Sequence, residues 1–271
     1  LTEATAVCLT LPRFPDSLFE RSLAPARLRG PMIDRLIYCS LLLSAVASSR
    51  AETPMLAIPG AVIYESKLDA TPAAPWKVAK GKWEGVEGAV KGAELPEDKH
   101  GAVMRLPNQL KDFTVEYEFK FEGARTTSLS INAVKDHMAR ISITPTTVTF
   151  QKDDNDHDGP DKAVVFARLK ADIQPGTWHK VRLDMVGDQM YGQVDEVAAA
   201  GSDPLFKTTK AAPGFTVGRQ SVSFRNLTIR EATLNPEWEK VRASLPKGEP
   251  APSPAPKGAG GKKGAKKTAA K

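Results

Sequence analysis

The sequence predicts an all-β protein, an antiparallel β-sandwich closed by one short C-terminal helix and flanked by disordered ends. Three observations carry this. From Ala61 to Ala232 apolar residues recur with a period of two, as in half-buried strands. Polar turn residues punctuate the short runs, and no long amphipathic helical pattern interrupts them. Of the 271 residues, 41% are hydrophobic, which suffices for one packed core rather than two domains.

The two ends read differently from the middle. "MIDRLIYCSLLLSAVASSRAET" (32–53) has Arg35 ahead of a twelve-residue apolar run, Leu36–Ala47. Small residues follow, offering cleavage after Ala51 or Ala47. This order predicts a secretory signal over 32–51, too short to span a bilayer, and a secreted or periplasmic product. The competing reading is a buried strand or helix. Residues 1–31 are then expected to lie upstream of the true start at Met32. Cys8 and Cys39 both fall in the part expected to be lost, so no disulfide or thiolate site remains.

Charge is unevenly spread. Residues 1–51 carry six Arg against four acids, and 247–271 carry seven Lys against one Glu. The ends therefore hold +8, which leaves 52–246 at −2 in a chain of net +6. A basic tail without aromatics does not make the folded part a nucleic-acid binder. The tail 247–271 is expected to be disordered, solubilising or weakly attracted to anionic cell-surface polymers.

Within the sandwich, assigned to 62–232, "FTVEYEFKF" places Phe113, Val115, Tyr117, Phe119 and Phe121 on one face. Comparable runs are 128–134, 139–143, 147–151 and 163–169. "WHKVRLDMVGDQMYGQVD" (178–195) reads as two strands joined at Gly187-Asp188. In "SVSFRNLTIREA", Val222 and Phe224 have the opposite parity to Leu227 and Ile229, so a bulge near Arg225-Asn226 is expected to return both pairs to the core. A helix is assigned to 235–246, with Asn235 as N-cap, Pro236 at the first position, and Trp238, Val241 and Leu245 at docking spacing.

"APWKVAKGKWEGVEGAVKG", "PGTWHKVRLDMVGDQMYGQVD" and "FTVGRQSVSFRNLTIREA" together resemble the 3-keto-disaccharide hydrolase-like domain over about residues 62–232. That resemblance implies a concanavalin-like jelly roll, related to laminin-G domains and family 16 glycoside hydrolases, acting on a glycan or small saccharide. Its markers are Trp178, the hairpin after it, and Phe-Arg-Asn at 224–226, and they specify architecture more than activity. The Glu-x-Asp-x-x-Glu pattern of family 16 enzymes is absent, so no catalytic residue is carried over. Two function classes stay open: a secreted hydrolase, and a non-catalytic carbohydrate-binding or cell-envelope module.

Candidate site residues follow from local chemistry. Glu116 and Glu118 share a strand face, as a carboxylate pair or as an ordinary solvated surface. Asp136, His137 and Arg140 gather around a turn, where they could bind a sugar or exchange protons, or simply be solvated. Tyr64, Trp76, Trp83 and Tyr191 could stack on sugar rings, with core packing the favoured role and Trp83 set before a Glu87-Gly88 turn. His179, at a strand start, is expected to be structural. Five aspartates fall between Lys152 and Asp161, and Asp154-x-Asp156-x-Asp158-Gly159 matches the first half of a calcium loop. Lys162 and Val165 break the second half, so the loop is either a weak calcium site or a solvated acidic hairpin tip.

Overall fold

The computed structural model describes residues 55–154 and 162–246. Its strands are β1 (Ala57–Ser66), β2 (Lys77–Lys80), β3 (Lys82–Val86), β4 (Ala89–Ala93), β5 (Ala102–Arg105) and β6 (Phe113–Asn132). They continue with β7 (His137–Thr144), β8 (Thr147–Lys152), β9 (Val164–Lys170), β10 (His179–Val186), β11 (Gln189–Val194), β12 (Val197–Ser202) and β13 (Gly214–Leu234). One helix, α1 (Trp238–Ser244), follows. Among the described residues no helix is long and apolar enough to cross a membrane.

Two long strands make the sandwich. β6 and β13, of 20 and 21 residues, pair antiparallel from Gly214↔Ser130 to Glu231↔Phe113. The first half of β6 also pairs with β10, and its second half with β7. Both strands therefore pass from one layer into the other. The first layer runs β12-β11-β10-β6-β13, with β4 and β1 meeting β13 at different points along its length. The second runs β9-β8-β7-β6-β13-β5-β2. Register shifts between Gly218 and Val222 mark the bend. The two runs expected at 113–121 and 128–134 are thus joined in one strand that ends at Asn132, because Gly123, Ala124 and Thr126 keep their pairing through these irregularities.

The core lies between the layers. Phe113, Val115, Tyr117, Phe119 and Phe121 are all buried, as their alternation requires. At its centre Phe215 stacks on Phe224 with centroids 4.4 Å apart, and Tyr117 leans on Phe215 at 4.8 Å. The bulge in β13 falls between Arg225 and Thr228, with Asn226 at φ 55°, so Val222, Phe224, Leu227 and Ile229 all reach the core. Trp83 is buried against Phe224, before a two-residue turn in which Glu87 and Gly88 both have positive φ. Opposite it, a Cβ on Gly92 would come within 2.5 Å of the Trp83 ring, so the indole needs a glycine there.

The boundaries differ from those the pattern suggested. β1 begins at Ala57, which pairs with Leu234, so strand pairing extends at both ends beyond 62–232. The helix is shorter than 235–246. Trp238 N bonds to Asn235 O, a three-residue turn, and α1 proper starts only after it. Asn235 is not the cap of α1: Glu237 holds that position without a side-chain capping bond. Asn235 instead shapes the preceding turn, its Oδ1 accepting from Glu237 N at 3.0 Å and its Nδ2 donating to Met55 O at 2.9 Å. Trp238 is 1% exposed and seals a small second core with Leu56, Ala57, Val186 and Tyr191 on the outer side of the first layer.

Candidate functional site

Beside this second core, the outer face of the first layer holds a cleft of 730 Å³. Alternation turns Glu116 and Glu118 of β6, and Lys180 and Arg182 of β10, away from the sandwich core and into it. Strand register sets opposite charges face to face: Glu116 lies across from Arg182, and Glu118 across from Arg225. Arg182 Nη1 donates to Glu116 Oε1 at 3.1 Å, and Arg225 Nε donates to Glu118 Oε2 at 2.6 Å. Each carboxylate is thus oriented by a guanidinium.

Arg182 is also tied below the surface. Its Nε donates to Asp184 Oδ1 at 2.8 Å and its Nη2 to Ala57 O at 3.2 Å, while Ala57 N donates to Asp184 Oδ2 at 3.1 Å. Asp184 is fully buried, and that burial pushes its carboxyl up to about 6 against the opposing pull of Arg182. The start of β1 is therefore clamped onto β10 by the same guanidinium that positions Glu116.

Trp178 forms one wall. It stands one residue before β10, and the Arg225 guanidinium covers its ring at 4.0 Å from the centroid, with Lys120 Nζ at 5.1 Å. Half-buried, the indole gives the rest of its surface to the cleft. Next to it, His179 is structural as expected. It is buried against Phe119, its Nε2 donates to Gln174 O at 3.0 Å, and its Nδ1 meets Asp195 Oδ2 at 2.6 Å.

The other candidates divide. Trp83 and Tyr191 are buried, the latter under the edge of Trp238 at 5.9 Å, so both belong to cores and not to sugar platforms. Trp76 stacks on Phe215 and donates from Nε1 to Tyr64 Oη at 3.0 Å, and the pair lines a small pocket of 170 Å³. Asp136 uses its carbonyl to close a turn with Ala133 N at 2.8 Å, and His137 opens β7 opposite Asn132. Arg140 turns to Asp153 on the outer face of the second layer, with Nη2 3.2 Å from Oδ2, and none of the three residues lines the cleft. Asp154 is half-buried after β8, whereas Asp156 and Asp158 lie outside the described residues. Among the described residues no group of three or more His, Cys, Asp or Glu is placed to hold a metal.

Trp178, Arg182 and Arg225 were not singled out from the sequence as site residues. Their signal was available in outward parity on β10 and β13, but the partner strand, and so the facing glutamates, becomes known only with the register.

No known protein family's sequence profile matches this chain, and no curated protein sequence does. Solved structures do match in shape. A protein of unknown function with a galectin-like fold from Bacillus subtilis is 11% identical, with TM-score 0.52, covering 66% of this chain and 100% of that one. The carbohydrate-binding module CBM66 from Bacillus subtilis is 19% identical, with TM-score 0.47, covering 58% and 95%. A non-specific endo-β-1,3(4)-glucanase from family GH16 is 12% identical, with TM-score 0.46, covering 67% and 97%. At such identities the likeness shows the fold alone: an antiparallel concanavalin- or galectin-like β-sandwich.

Proposed function

We propose that this chain is an exported glycan-binding protein that holds a saccharide in the outer-face cleft without cleaving it. The observation that carries this reading is Trp178, a half-buried indole backed by Arg225 and bordered by carboxylates and guanidinium groups in a cleft of saccharide size. The apolar face of a pyranose stacks on an aromatic ring, and its hydroxyls pair with fixed charged groups such as Glu116 and Arg182. Cleavage by a carboxylate pair requires one of the two to carry a proton to the leaving oxygen. Here each of the two accepts from an arginine, which suits recognition better than proton delivery.

Hydrolysis, including that of a 3-keto-disaccharide, is the second reading, favoured by the presence of Glu116 and Glu118 in one cleft. A glycan array, read beside release of reducing sugar from a panel that includes 3-keto-glycosides, separates the two. Binding that weakens by at least about tenfold in Trp178→Ala, with no sugar released, is the expected result. Release of sugar that disappears in Glu118→Gln would replace binding with hydrolysis. Export rests on the signal pattern at 32–51, and N-terminal sequencing of the native protein should find a start near Glu52. A start upstream of Met32 would overturn it.

A further inference from the structure

The outer face of the second layer carries a different arrangement. Register places Arg105, Gly214, Ser130, Arg140 and Gln151 side by side across β5, β13, β6, β7 and β8. The two small residues leave a trough between the arginines. A Cβ on Gly214 would lie 2.7 Å from Arg105 Cδ, so the Arg105 side chain lies down over the β13 backbone, and its Nη1 comes within 3.5 Å of Ser130 O. Arg140 comes from the other side, its side chain 32% exposed.

Among the described residues, charge in this trough does not balance. Asp153 is the carboxylate that faces Arg140, at ion-pair distance but without hydrogen-bond alignment. It also accepts from Gln151 Nε2 at 2.6 Å. Arg140 Nε is a buried donor with no acceptor among the described residues, and Asn132 Oδ1 nearby is a buried acceptor in the same position. Such orphaned groups are costly unless something satisfies them. Arg105 is held below the usual guanidinium range by burial first and then by the neighbouring Arg140 cation, with Asp153 opposing. Among the described residues two arginines share one carboxylate, a surplus of directed positive charge, which is the chemistry that recognises an oxyanion.

We propose that this trough is a second ligand site, separate from the Trp178 cleft, that takes the oxyanion of an acidic saccharide between Arg105 and Arg140. The test is titration of the full chain with D-galacturonate, D-galactose and inorganic sulfate at low and moderate salt, followed by calorimetry or by NMR. Galacturonate is expected to bind in the millimolar range, galactose not to bind there, and added salt to weaken the complex. Arg105→Gln is expected to weaken it by at least about tenfold, with an unchanged melt because Arg105 makes only a long hydrogen bond. Arg140→Lys keeps a cation beside Asp153 and should also weaken binding, since the planar fork is lost. Trp178→Ala should leave galacturonate affinity intact. Competition by sulfate would make any oxyanion the ligand, and its absence would select the planar carboxylate. The proposal is overturned if neither anion binds, if galactose binds equally well, or if Arg105→Gln retains wild-type affinity. Acid binding lost in Trp178→Ala alone would also overturn it, while supporting the cleft.

Discussion

Arg182 faces Glu116 across the β6–β10 pair at 3.1 Å and, through the other edge of the same guanidinium, holds the buried carboxylate of Asp184 at 2.8 Å. One side chain thus joins the wet surface of the cleft to a dry ion pair beneath it. Replacing it by Met would leave Asp184 buried without its cation, a change that costs about 3–5 kcal/mol when one partner of a buried pair is removed. Denaturant melts of Arg182→Met should show that loss near neutral pH, and Asp184→Asn in the same background should restore part of it. An Arg182→Met protein as stable as wild type would rule out the clamp.

The pH dependence of stability follows from Asp184. Its native carboxyl titrates at about 6, raised by burial, whereas an unfolded aspartate titrates near ~3.9. Between those values the native state keeps a proton that the unfolded chain has lost. The contribution of this group is therefore fullest below ~4, falls as pH rises toward ~6, and is level above it. Melts of wild type and Asp184→Asn across that range should show the wild type losing ground to the variant as pH rises. A constant difference, or one of opposite sign, would contradict the assignment.

Tyr117 supplies a test of an unsatisfied group. Its ring is at the centre of the core, and its hydroxyl is buried with no partner among the described residues. Burial alone pushes its phenol upward. Tyr117→Phe keeps the ring and removes the stranded oxygen, so it should be neutral or raise stability by about 1 kcal/mol. A loss of more than about 1 kcal/mol would show that the hydroxyl has a partner.

The acidic segment after β8 remains a calcium proposal, resting on the spacing of Asp154, Asp156 and Asp158. Any such site should be weak, about 10⁻⁴–10⁻³ M, because no Glu stands at the twelfth position. Millimolar calcium against chelator should raise the melting temperature of wild type and not that of Asp156→Ala. Identical wild-type melts in the two conditions would leave a solvated acidic loop.

The fold was more legible in the sequence than the site, for a physical reason. Burial imposes a period that a single strand displays by itself, so Phe113 to Phe121, and even the bulge that rescues Leu227 and Ile229, could be read directly. A site instead depends on which strands are neighbours. Arg182 and Glu116 are 66 positions apart, and nothing local to either one announces the other. Arg140 was picked out for its turn companions Asp136 and His137, yet its ion-pair partner is Asp153, brought from the next strand by register. The single run at 113–132 was split for a related cause, since Glu122–Thr126 lost its apolar alternation while the strand continued.

Among the described residues, the last strand is among the most central in space. β13 lies between β6 and the strands β1, β4 and β5, pairing Gly214–Glu231 with residues as far back as Val62, which lies opposite Arg230. No nascent chain that stops short of β13 can close its sandwich, and until then β6 presents a long unpaired edge. Assembly has high contact order and should be slow, completed only when the end of the domain becomes available. Until β13 arrives, the β13-facing edge of the 20-residue β6 is a ready template for pairing with another chain, so a truncation before Gly214 should aggregate rather than fold.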